Sequence, residues 1–176
     1  MIADLGVQPG GRYKPRHQIY IRWEIPAERI EWVDRDGKLQ RGPAQIGKAY
    51  TLSLSTKAKL RGDLENWRGR PFTDAELAGF DIFKVLGAAC QIMVQHQAGA
   101  DGRTYASVTG IMGLPRGVAK PAAERPLVKY SPDEPDQFDE LPQWLQDKVR
   151  DSVSAPPVET VSRDVGDQDF DDDIPF

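Results

Sequence analysis

The chain has 176 residues, 39% of them hydrophobic and 28% charged, with a net charge of −4, which fits one globular domain with appendages. No apolar run approaches the ~20 residues needed to cross a bilayer, and Met1-Ile2-Ala3-Asp4-Leu5-Gly6 lacks the basic and apolar regions of a secretory leader. The single cysteine, Cys90, excludes an internal disulfide, so the expectation is a cytoplasmic protein that neither enters a membrane nor needs an oxidising compartment.

Residues 1–16 end in Gly10-Gly11-Arg12-Tyr13-Lys14-Pro15-Arg16 and read as a flexible N-terminal arm with three cations and one ring. From Gln18, the apolar positions Ile19, Ile21, Trp23 and Ile25 alternate with Gln18, Tyr20, Arg22 and Glu24, which predicts a half-buried strand stopped by Pro26. A second strand over about 28–35 turns at Asp36-Gly37, and after Gly42-Pro43 a third runs over about 45–54. Ser55 or Thr56 can cap a helix with Leu60, Leu64 and Trp67 on one stripe, ended by Gly69. Thr73 and Glu76 have capping-box spacing, and Asp81 can cap a further short helix. Strand character returns over 89–97, and a turn at Gly99-Ala100-Asp101-Gly102 leads into a strand over 103–114. Three strands, helices, then two strands predict an all-β fold with helical insertions: a five-stranded OB-type Greek-key barrel over 17–130.

Beyond Lys120 the composition turns to Pro, Asp, Glu and Ser, so 131–166 reads as a Pro-rich acidic linker. Within it a short helix over about 140–151 carries Leu141, Trp144, Leu145 and Val149 on one side; it docks on the barrel or on a sister subunit, or holds a partner. Residues 167–176 place five aspartates among apolar residues, so the segment cannot bury itself and is expected to be a disordered acidic tail ending in a hydrophobic hook. Its interaction residues are Asp171, Asp172, Asp173, Ile174, Pro175 and Phe176, the proline lowering the entropy lost on capture.

The charge is divided along the chain. Residues 1–130 hold 20 Lys+Arg against 13 Asp+Glu, a balance of +7, and residues 131–176 hold 3 against 14, a balance of −11. A basic body attracts polyanions through phosphate neutralisation, whereas an acidic tail attracts basic protein surfaces. Catalysis has little to stand on. His17 and His96 are the only histidines, no pair has zinc-site spacing, and no glycine-rich loop matches a nucleotide-binding fingerprint, so neither enzyme activity nor a metal or cofactor is expected.

Binding to single strands asks for cations interleaved with rings, since stacking contributes roughly 1–3 kcal/mol per base. Tyr20, Arg22 and Trp23 supply one such cluster, Lys48 and Tyr50 a second, and Trp67, Arg68, Arg70 and Phe72 a third. Arg103 and Tyr105 supply a fourth, with Lys57, Lys59 and His96 as further candidates. Core roles are open alternatives for Trp23 and Tyr50, which share parity with aliphatic residues, for Trp67, which continues a helical stripe, and for His96 on its strand. Tyr20, Arg22, Arg68, Arg70 and Arg103 are least exposed to that objection.

Two resemblances sharpen these readings. The terminal Asp-Asp-Asp-Ile-Pro-Phe resembles the tip of bacterial single-stranded DNA-binding proteins, which implies recruitment of replication, recombination and repair enzymes. Tyr50-Thr51-Leu52-Ser53-Leu54-Ser55, then Lys57-Ala58-Lys59-Leu60-Arg61 and 63–72, with Gly102-Arg103-Thr104-Tyr105 and Leu114-Pro115-Arg116-Gly117, resemble a group of phage-encoded single-stranded DNA-binding proteins. That similarity covers roughly 18–130 and recurs at Leu141-Pro142-Gln143-Trp144-Leu145. It implies an OB fold, sequence-tolerant coating of single-stranded DNA, host or phage partner proteins and a bacterial cytoplasm. The body departs from the bacterial family, so that family's tetramer is not implied and homo-oligomerisation stays open. The alternative reading is an adaptor or DNA-mimic inhibitor that acts through its acidic tail.

Overall fold

The computed structural model describes residues 1–11, 14–34 and 36–153, so the expectations for the acidic tail and its tip lie outside the described residues. The chain opens with a strand, β1 (Ile2–Gln8), followed by two long strands, β2 (Arg16–Val33) and β3 (Leu39–Thr51). Two helices follow, α1 (Lys59–Arg68) and α2 (Asp74–Ala78), then a 3-10 turn over Ile82–Val85. A hairpin of β4 (Gln91–Ala98) and β5 (Thr104–Met112), the short β6 (Lys129–Tyr130) and a last helix, α3 (Gln143–Arg150), complete the described chain. β3-β2-β1-β6 form one sheet, antiparallel except for the β1–β6 pair, and β4–β5 form another. The two sheets share no backbone ladder among the described residues, so the closed five-stranded barrel is not seen; the architecture is mostly β with a few short helices.

Three expectations are corrected. The predicted flexible arm contains β1, whose Ile2, Ala3 and Leu5 are almost fully buried. Its brevity hid it: Gly6, at φ 67°, makes a bulge where the register with β2 shifts, and Asp4 Oδ1 accepts the Gly6 N–H at 2.8 Å. Pro26 does not stop β2. Pairing jumps from Ile25–Ala44 to Arg29–Pro43, so Pro26 sits in a bulge where no ladder N–H is required, and the two predicted strands are one. Pro43 is tolerated for a related reason, since β3 is an edge strand.

Most other local signals act as expected. Gly37 takes φ 77° in the β2–β3 turn, where Asp34 accepts the backbone N–H groups of Asp36 and Lys38. Gly69 ends α1 in the left-handed region, Thr73 and Glu76 close a capping box on α2, and Asp81 caps the 3-10 turn. Neither Ser55 nor Thr56 caps α1; its N-cap is Ala58.

The main core lies on one face of the four-stranded sheet, and α3 covers part of the other. One face carries Ile2, Ile19, Ile21, Trp23 and Tyr50 into the main core with Leu60 and Leu64 of α1 and Val108 and Ile111 of β5. The opposite face, here the outer face, receives α3: Leu141 and Leu145 pack on Ala3, Leu5, Val128 and Tyr130. Gln8 locks this docking, its Nε2 donating to the Lys148 carbonyl at 3.0 Å. No helix among the described residues is long and apolar enough to cross a membrane.

Candidate nucleic-acid interface

The alternation in β2 that sends Ile19, Ile21 and Trp23 inward sends Tyr20, Arg22 and Glu24 to the outer face. Their partners there are Ala49, Gly47 and Gln45 of β3. The Tyr20 ring lies across Gly47, where a Cβ would sit 2.0 Å from the phenol oxygen, so only glycine admits this posture. Trp144 of α3 meets Tyr20 edge to face at 5.0 Å and stays 46% exposed, which leaves one indole surface accessible beside the phenol. Burial pushes the Tyr20 hydroxyl up and pulls Arg22 down; the Arg125 charge adds to the second effect.

Farther along the same face, Glu24 draws in the segment that precedes β6. Its carboxylate accepts the backbone N–H of Glu124 at 2.7 Å and of Arg125 at 3.2 Å. Arg125 thereby lies over the Trp32 ring at 4.8 Å, with Gly42 beneath both. The outer face thus carries, in order, Trp144, Tyr20, Arg22, Arg125 and Trp32. Of these, sequence reasoning singled out Tyr20 and Arg22 as contacts. Trp144 had been assigned to helix docking; Trp32 and Arg125 lie far apart in sequence, so no local pattern pairs them.

The remaining candidates divide by burial. Trp23, Tyr50 and Phe72 are core residues at 8%, 4% and 8% exposure, and Trp67 is half-buried, its indole N–H donating to the Ala89 carbonyl at 3.1 Å. Rings as enclosed as Trp23, Tyr50 and Phe72 offer no face to a base and pack the core instead, whereas Trp67 is enclosed only in part. Lys48 is tied to Asp63 at 3.0 Å, and Tyr50 donates to the same carboxylate at 2.8 Å. Arg68 and Arg70 both hold Glu76, each with one contact of 2.6 Å, and Arg68 also covers Phe72. Arg70 is the more open and lines a surface cleft with Asn66, Gly110 and Met112. Lys57 and Lys59 are exposed at the start of α1, away from the Tyr20–Arg125 row in sequence and element.

His96, Arg103 and Tyr105 all lie on the outer half of the β4–β5 hairpin, where residues 95–106 are all exposed apart from Gly99, but the pairing of His96 with Ala106 and of Gln97 with Tyr105 puts His96 and Tyr105 on opposite faces. Tyr105 packs on Gly99 and donates to Asp101 at 2.5 Å, while Arg103 remains 81% exposed at its side chain. The outer β2–β3 hairpin likewise exposes Ile30, Val33 and Leu39.

Cys90 is half-buried, burial pushing its thiol up to about 11, so it stays protonated near neutrality. Among the described residues no group of three or more His, Cys, Asp or Glu side chains could hold a metal ion. No protein-family description, curated protein or solved structure matches this chain.

Proposed function

We propose that the chain is a non-enzymatic, sequence-tolerant single-stranded DNA-binding protein that coats DNA in phage replication, recombination and repair within a bacterial cytoplasm. In this reading the fold is a partly open OB-type barrel. The order β1-β2-β3, α1, β4-β5 is that of an OB fold, with β5 lying against β3. OB folds bind oligonucleotides on the face of their second and third strands, and that is where the Tyr20–Arg22 row lies. The observation that carries the reading is this row of rings and cations on the outer face of β2 and β3, with Trp144 exposed and Tyr20, Arg22, Trp32 and Arg125 partly so. The tip, Asp171 to Phe176, serves as the hook for partner enzymes, on the strength of its composition and resemblance.

The test is a fluorescence titration of the full chain with dT oligonucleotides, using Trp144 as reporter. Saturable quenching is expected, with affinity falling by orders of magnitude between about 50 and 200 mM salt and little dependence on base composition. Absence of binding at low salt refutes the proposal. Capture of a partner protein without oligonucleotide binding turns the reading toward the adaptor or DNA mimic.

A further inference from the structure

Lys48, Arg61, Arg68 and Lys129 are partly buried cations that each hold a carboxylate. Arg22 and Arg125 are also partly buried, yet among the described residues neither guanidinium has a carboxylate partner. Glu24 lies on the same face, but the hydrogen bonds its carboxylate makes go to the backbone N–H groups of 124 and 125 and not to either guanidinium. Glu124 is held by Arg29 at 2.5 Å. The Arg125 side chain is fixed by packing instead: it lies over Trp32, its Nη2 would be 3.2 Å from a Cβ at Gly42, and its Nε is buried without a hydrogen-bond partner. Arg22 stands opposite Gly47, where the Tyr20 phenol lies, an uncharged neighbour. Two half-desolvated like charges on one face are unfavourable unless an anion joins them.

We infer that Arg22 and Arg125 are a phosphate site that seats one backbone phosphate of a single strand, with the neighbouring base directed toward Trp144 beside Tyr20. This rests on the single-stranded DNA reading of the same face. Planar guanidinium forks suit phosphate oxygens, and an arginine braced on an indole is already oriented before the anion arrives.

The experiment uses the full chain labelled with nitrogen-15, observing arginine Nε–Hε signals during titration with a dT oligonucleotide and, separately, with inorganic phosphate. Signals of Arg22 and Arg125 should shift with both, weakly with phosphate. Arg22→Gln should lower oligonucleotide affinity about tenfold near 0.1 M salt and reduce the salt slope by about one. Its melting temperature should not fall, since among the described residues the charge removed had no carboxylate to lose. Unchanged affinity and slope in both Arg22→Gln and Arg125→Gln, in a protein that binds DNA, overturn the inference and leave the proposed function standing. A lowered melting temperature with unchanged affinity marks Arg22 as structural and overturns it equally. Phosphate shifts in a protein that binds no oligonucleotide sink the proposed function and reduce the pair to a small-anion site; shifts with neither probe sink both.

Discussion

Asp63 shows how one buried carboxylate removes two residues from a surface role. Only 8% exposed, it accepts the Tyr50 hydroxyl at 2.8 Å and the Lys48 ammonium at 3.0 Å, joining α1 to β3 across the core. Burial, together with the Asp63 charge, drives the Tyr50 hydroxyl far above its ordinary range, so it remains a donor at every working pH. Removing the carboxylate leaves an ammonium and a hydroxyl in a poorly solvated place, which is costlier than never having had the pair. Asp63→Ala is therefore expected to lose about 3 kcal/mol in urea unfolding, while the fraction that remains folded binds oligonucleotide as the parent does. A loss below about 1 kcal/mol would mean that water reaches this pair as it reaches surface ion pairs.

At the scale of elements, α1 and α2 are held at their junction by Glu76, which takes both Arg68 and Arg70 while closing the cap on Thr73. The hydrogen bonds from Arg70 and then Arg68, with the Thr73 backbone, hold the Glu76 carboxyl well below the usual carboxylate range. A carboxyl depressed in the folded state stabilises above its unfolded value and loses that contribution as pH falls through the folded one. The melting-temperature gap between the parent and Glu76→Gln should therefore stay constant from about pH 8 to 5 and narrow progressively below about 4.3. A gap that persists unchanged to pH 3 would show that the cap geometry, rather than the charge, holds the junction. This junction was readable in advance because its signals are local: Thr73 and Glu76 lie three residues apart and Gly69 ends the preceding turn. β1 was not, because its burial depends on a parallel partner, β6, of two residues and on α3, more than a hundred positions away. Long β2 was hidden behind Pro26, since a bulge that excuses a proline leaves no mark in composition. The candidate interface was legible by halves. Parity alone sends Tyr20 and Arg22 outward, but the pairing of Trp32 with Arg125 is created by Glu24 reaching backbone amides a hundred residues on.

Over the whole molecule, the division between a +7 body and a −11 remainder makes a physical demand on any strand that approaches. The guanidiniums of the outer face and the five aspartates of 167–176 carry opposite charge, so a polyphosphate would compete with any visit of those aspartates to the same cations. Exposed charges are screened beyond about 8 Å at physiological salt, so the competition should be modest there and larger in dilute buffer. A chain ending at Asp164 is therefore expected to bind dT oligonucleotide several-fold more tightly near 20 mM salt, with the advantage disappearing above about 200 mM. Equal affinities at low salt would show that the acidic segment does not visit the cationic face, and would leave recruitment of partners as its remaining role. If the advantage also vanishes in the Arg22→Gln background, the aspartates and the strand meet the same guanidinium, and occupancy by DNA is what releases the hook.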